Sequence, residues 1–138
     1  KRPVVFSECR ASYKNVYDDL HVYPKEEAVA SIVAIGGARP TAKEAAKRLT
    51  DAGMPTNYIP TTGPWRSLDV ARGKPAVVVD WDYAECGLAS TIALEMTQIG
   101  CRAKALGLER RVAGFGKHDN LSPSVERIYD TVRSLLES

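Results

Sequence analysis

The chain has 138 residues, 44% apolar and 26% charged, and its 19 basic and 17 acidic side chains leave a net charge of +2. That length supports one domain burying about two-thirds of its unfolded surface, and the composition excludes a disordered chain, a collagen-like repeat and a disulfide scaffold. Residues 1–69 carry 10 basic and 8 acidic side chains and residues 70–138 carry 9 of each, so neither half is the basic footprint of a nucleic-acid binder.

From the start, Lys1-Arg2-Pro3-Val4-Val5-Phe6 does not continue into the apolar core of a signal peptide. A first residue of Lys rather than Met points to a processed chain or a piece of a longer polypeptide. Residues 3–6 read as a strand, residues 11–23 have no steady period, and Pro24-Lys25-Glu26-Glu27 reads as a linker. Residues 1–27 are therefore expected to be a connecting arm and residues 28–138 the domain.

Ser31-Ile32-Val33-Ala34-Ile35, closed by Gly36-Gly37, has the β-branched content of a buried strand. Thr41-Ala42-Lys43-Glu44 has the spacing of a capping box. Ala42, Ala45, Ala46 and Leu49 then follow as one apolar stripe, and Gly53 stands where a left-handed cap belongs. Residues 56–59 suggest a second strand, broken by Pro60. Residues 65–70 suggest a short helical turn, and Ala76-Val77-Val78-Val79 the clearest strand. Leu88, Ile92, Met96 and Ile99 mark one helical face before Gly100, and residues 102–108 a weaker strand. Ser122-Pro123 is the expected cap of a last helix carrying Val125, Ile128, Tyr129, Val132, Leu135 and Leu136. Strands alternating with helices predict an α/β fold, three layers around a mostly parallel sheet of about five strands.

Cys9, Cys86 and Cys101 form no C-x-x-C pair, which excludes the usual zinc and dithiol frameworks and fits a reducing cytoplasm. The longest uncharged apolar stretch, residues 28–38, is too short to span a bilayer.

Open α/β sheets bind ligands beyond the carboxyl ends of their strands. Gly36, Gly37 and Thr41, beside a helix start, could hold an anion on backbone N–H groups. Their spacing fits neither a dinucleotide nor a nucleoside triphosphate loop, and a tight turn needing glycine is the simpler reading. Asp80, Asp82 and Glu85 could bind a divalent cation or act as an acid–base pair; a solvated loop or a contact with another subunit is the simpler reading. Cys86 precedes a helix start that can activate a thiol, against which stands a buried or semi-buried inert cysteine. His118-Asp119 could orient an imidazole, but adjacent loop residues often point apart. Arg110-Arg111 reads as surface charge.

Taken together, residues 31–37, 42–53 and 56–59 resemble the opening of the transketolase C-terminal domain. That domain recurs in transketolases, 2-oxoacid dehydrogenase beta subunits and 2-oxoacid:ferredoxin oxidoreductases. Val77-Val78-Val79-Asp80, then Cys86-Gly87-Leu88-Ala89, is similar to its third strand and glycine-led helix, and residues 107–116 and 122–136 to its closing segment. Residues 3–13 resemble the end of the preceding pyrimidine-binding domain. Asp80 or Asp82 stands where many relatives carry a glutamate. The resemblance implies that thiamine diphosphate and magnesium sit on other, catalytic domains. This domain would then be non-catalytic, serving subunit association and docking in a homodimer or heteromer, with Asp80, Asp82, Glu85, His118 and Asp119 as interface candidates. The alternatives are a stand-alone anion-binding module at Gly36, Gly37 and Thr41, and a hydrolase built on Cys86 and His118. Neither nucleic acid nor membrane is an expected partner.

Overall fold

The computed structural model describes residues 22, 24–61, 68–108 and 123–138. Four strands, β1 (Ala30–Ile35), β2 (Thr56–Thr61), β3 (Ala76–Tyr83) and β4 (Ala103–Leu108), form one sheet. Its order is β2-β1-β3-β4, and every pairing is parallel. Parallel neighbours need crossovers, and here α1 (Arg39–Asp51), α2 (Leu88–Gln98) and α3 (Val125–Glu137) cover the sheet. The three-layer α/β expectation holds, with four strands among the described residues rather than about five; the strand read at residues 3–6 lies outside them.

Two apolar clusters explain the layering. Strand side chains alternate, so Ile32, Ala34, Val77, Val79 and Leu106 face one side, where Ala42, Ala45, Ala46 and Leu49 of α1 and Ile128 and Val132 of α3 meet them. Val33, Ile35, Ile59 and Val78 face the other side, against Ala89, Ile92, Ala93 and Met96 of α2 and Cys101. Both faces are dry, which is why these strands read as continuous apolar runs.

Helix ends differ in part from the sequence reading. Helix α1 starts at Arg39, with Pro40 in its first turn and Ala38 as a cap that supplies no side-chain bond. Thr41 is thus inside the helix, its hydroxyl donating to the Ala38 carbonyl at 3.0 Å, while Glu44 pairs with Arg48. The capping box does not form, because proline sets the helical φ two residues earlier. The far end matches expectation: Gly53 has φ +81°, its N–H donates to Thr50 O at 3.0 Å, and Met54 N–H to Leu49 O at 2.9 Å.

Ser124, rather than Ser122, caps α3, accepting from the Arg127 N–H at 3.1 Å; Ser122 lies outside the described residues. On α2 the buried stripe is Ala89, Ile92, Ala93 and Met96, and Leu88 is 40% exposed. Pro60 does not break β2, which continues to Thr61. In the sheet as described β2 is an edge strand, where a missing N–H need not cost a ladder bond.

Candidate functional site

The crossover after β1 places α1 on one face of the sheet, and the crossover after β3 places α2 on the other. The carboxyl ends of β1 and β3, side by side in the sheet, are therefore the point at which chain direction diverges and a ligand crevice is expected.

On the β1 side, residues Gly36–Ala38 make one turn of 3-10 helix leading into α1. Gly36 has φ +50°, a conformation glycine adopts without penalty. The Gly36 carbonyl accepts from the Arg39 guanidinium Nε at 3.0 Å. Above Gly37 lies the indole of Trp81: a Cβ added to Gly37 would come within 2.6–2.7 Å of three ring carbons. Trp81 packs onto the α1–α3 cluster, with its Nε1–H buried and unpartnered. The switch point thus brings Gly36, Gly37 and Thr41 to the start of a helix as expected, with an aromatic ring lying over Gly37.

On the β3 side, the acids expected in a loop belong to the strand itself. Val79 pairs with Leu106 and Tyr83 with Leu108, so residues 80–82 oppose Gly107 alone. This is a bulge, and it re-aims the strand end. A Cβ on Gly107 would land on the Asp82 carbonyl oxygen, so the bulge closes only over glycine. Asp80 Oδ1 accepts from the Trp81 N–H and Asp82 Oδ1 from the Tyr83 N–H, each at 2.7 Å. Burial pushes the Asp80 carboxyl above its usual range, and the nearby charge of Asp82 adds to the rise, while the N–H bonds oppose it. Asp82 and Glu85 are exposed. Among the described residues, no three His, Cys, Asp or Glu side chains gather as a metal site. The first two acids instead hold backbone N–H groups within the bulge.

Cys86 is exposed in the turn before Gly87, the N-cap of α2, and not buried or semi-buried as the simpler sequence reading had it. Among the described residues the buried thiol is Cys101, which donates to the Ala71 carbonyl at 3.1 Å and is pushed up by burial. His118, Asp119, Arg110 and Arg111 lie outside the described residues, as do Cys9 and most of the arm.

Sequence reasoning passed over Trp81, Gly107 and Asn57. The alternation of Val77, Val79 and Trp81 carried a signal for the first, since period two places all three on one face. Asn57, only 1% exposed, is satisfied on both ends of its carboxamide. Its Oδ1 accepts from Lys25 N–H at 2.8 Å, and its Nδ2 donates to Val70 O at 3.3 Å.

No family model matches the chain, and no curated protein matches it in sequence. Among solved structures, a split-gene transketolase described as an inactive beta4 tetramer superposes with a TM-score of 0.65 at 19% identity. The match covers 98% of this chain and 46% of that one, so this chain spans less than half the length of the structure it resembles. The transketolase C-terminal-like fold implied by the sequence is the fold observed. Among the described residues no helix is long and apolar enough to cross a membrane.

Proposed function

We propose that this chain is the non-catalytic C-terminal domain of a thiamine diphosphate-dependent transketolase or 2-oxoacid dehydrogenase or oxidoreductase, where it serves subunit association and docking. The observation that carries this reading is the extent of the fold match: nearly all of this chain superposes on under half of a transketolase subunit. The remainder of such a subunit has room for further domains, and the reading assigns the chemistry to them.

The described residues do not fit a cofactor site. Asp80 and Asp82, in the bulged end of β3, each accept a backbone N–H, and no metal-holding group of side chains is present among the described residues. The reading places thiamine diphosphate and its magnesium on partner catalytic domains or subunits, as the family resemblance implies. The exposed Asp82 and Glu85 are the charged residues proposed to face a subunit boundary, and Leu88 and Leu94, 40% and 63% exposed, the apolar ones. A two-fold dimer is the commonest symmetric way to bury such surface. A reducing cytoplasm is the proposed setting, supported by the free thiols of Cys86 and Cys101.

The test is light scattering on the purified chain, together with transketolase and 2-oxoacid oxidation assays in the presence of thiamine diphosphate and magnesium. An associated, inactive protein is expected. Turnover by residues 1–138 that needs no thiamine diphosphate would overturn the reading, as would a strictly monomeric protein that binds the cofactor by itself.

A further inference from the structure

Parallel strands in register deliver their ends together. Ala34 of β1 pairs with Val79 of β3, so two residues further on Trp81 comes beside the Gly36–Ala38 turn. Period two sets the side: Trp81 follows Val77 and Val79 onto the face covered by α1 and α3. Its half-buried indole rests on the main chain of Gly37. A Cβ there would stand 2.6–2.7 Å from Cδ2, Cε2 and Cζ2 of the ring, so only glycine leaves the seat flat.

The polar groups of that turn are paired locally. The Gly36 carbonyl accepts from both the main-chain N–H and the Nε of Arg39. The Thr41 hydroxyl donates to Ala38 O, and Pro40 has no N–H to offer. The indole Nε1–H, the ring's single donor, is buried and has no acceptor among the described residues. Shape and apolar contact therefore hold the ring, at the place where an open α/β sheet presents its ligand crevice.

We propose that Trp81 is a built-in plug. Its indole fills a flat apolar slot at the switch point, shaped for a planar bicyclic aromatic ring and closed to anions. Gly37 is the floor of the slot. While the indole is seated, neither a second ring nor a phosphoryl group reaches Gly36, Gly37 and Thr41. The plug follows from the fold and not from the thiamine diphosphate reading, and it would stand if that reading failed.

The experiment replaces the plug with free rings in the full chain. Trp81→Gly should melt below the unmodified protein, and benzothiophene, an indole-sized ring with sulfur in place of the N–H, should restore part of the loss saturably. Because the N–H finds no acceptor in the slot, benzothiophene should bind about fivefold tighter than indole, or better. Both rings should shift the amide resonances of Gly36, Gly37 and Ala38 in the variant and leave them unmoved in the unmodified protein. Such a shift in the unmodified protein, with either ring or with inorganic phosphate, overturns the proposal. A smaller margin between the rings, or neither ring binding the variant, overturns it equally. If Trp81→Gly does not fold, Gly37→Ala decides, read by fluorescence with Trp65→Phe leaving Trp81 as the sole tryptophan. The added methyl group should unseat the indole, giving red-shifted emission and stronger quenching by acrylamide. Emission equal to the parent's overturns the proposal.

Discussion

At the carboxyl end of the sheet, Gly37 lies under the Trp81 indole and Gly107 against the Asp82 carbonyl, so close that neither position has room for a Cβ. At the amino end, Gly53 has nothing within 4 Å of where its Cβ would sit, and closure comes from hydrogen bonds among Lys25, Thr50, Asn57 and Val70. One end is closed by shape and the other by polar pairing. The first should therefore be intolerant of added atoms, and the second of lost partners. The difference matters for function because α/β sheets offer ligands their carboxyl end. Here that end holds a bulge, an indole and three acids.

The sharpest way to break this contrast is to add one methyl group at each end. Gly107→Ala forces a carbon onto a backbone oxygen in the bulge, which no side-chain rotation relieves. A loss of about 3 kcal/mol or more is expected, seen as a fall in melting temperature of about 10 °C. Gly53→Ala meets no atom and is strained only by its φ of +81°, so about 1 kcal/mol is expected. Gly53→Asn should cost less, since asparagine enters the left-handed region more readily. Equal losses at the two positions, measured by urea unfolding, would remove the distinction between the two ends.

The same contrast explains what could be read from the sequence. The apolar stripe Ala42, Ala45, Ala46 and Leu49, the run Val77-Val78-Val79 and the cap at Gly53 are local signals, each set by periodicity or by one residue's backbone preference, and the structure has them where they were expected. Gly37 and Gly107 were legible only as glycines. What makes them necessary is Trp81, 44 positions on, and Asp82, 25 positions back, both in β3. The role of Asn57 is not legible locally, because its partners, Lys25 and Val70, lie on other elements. Spacing puts Leu88 on the apolar face, but it is the first residue of α2, and the alanines after it bring the next turn to the sheet instead. No period distinguishes a bulged strand end from a turn, so the sequence alone places the acids at 80 and 82 in a solvated loop or at a subunit contact.

The smallest expected effect probes the acids themselves. If Asp80 serves the bulge by accepting the Trp81 N–H, an amide oxygen can do the same, and Asp80→Asn should keep the fold. The charge then becomes separable from the bond. Burial raises the Asp80 carboxyl in the folded protein, so the folded state binds its proton more tightly than the unfolded state does. Stability must therefore fall as pH rises from the ordinary carboxylate range through the raised value, and the ionised side chain remains a net cost at neutral pH. Removing that charge should stabilise the protein at pH 7. The gain should stay below about 1 kcal/mol because the half-buried carboxyl is partly screened by water. Near pH 3, where the carboxyl is protonated in both states, the variant and the parent should unfold alike. Urea unfolding at the two pH values reads the difference directly. A variant less stable at pH 7 would mean that the Asp80 charge has a favourable partner, and the carboxyl end would then be closed by polar pairing after all, as the amino end is.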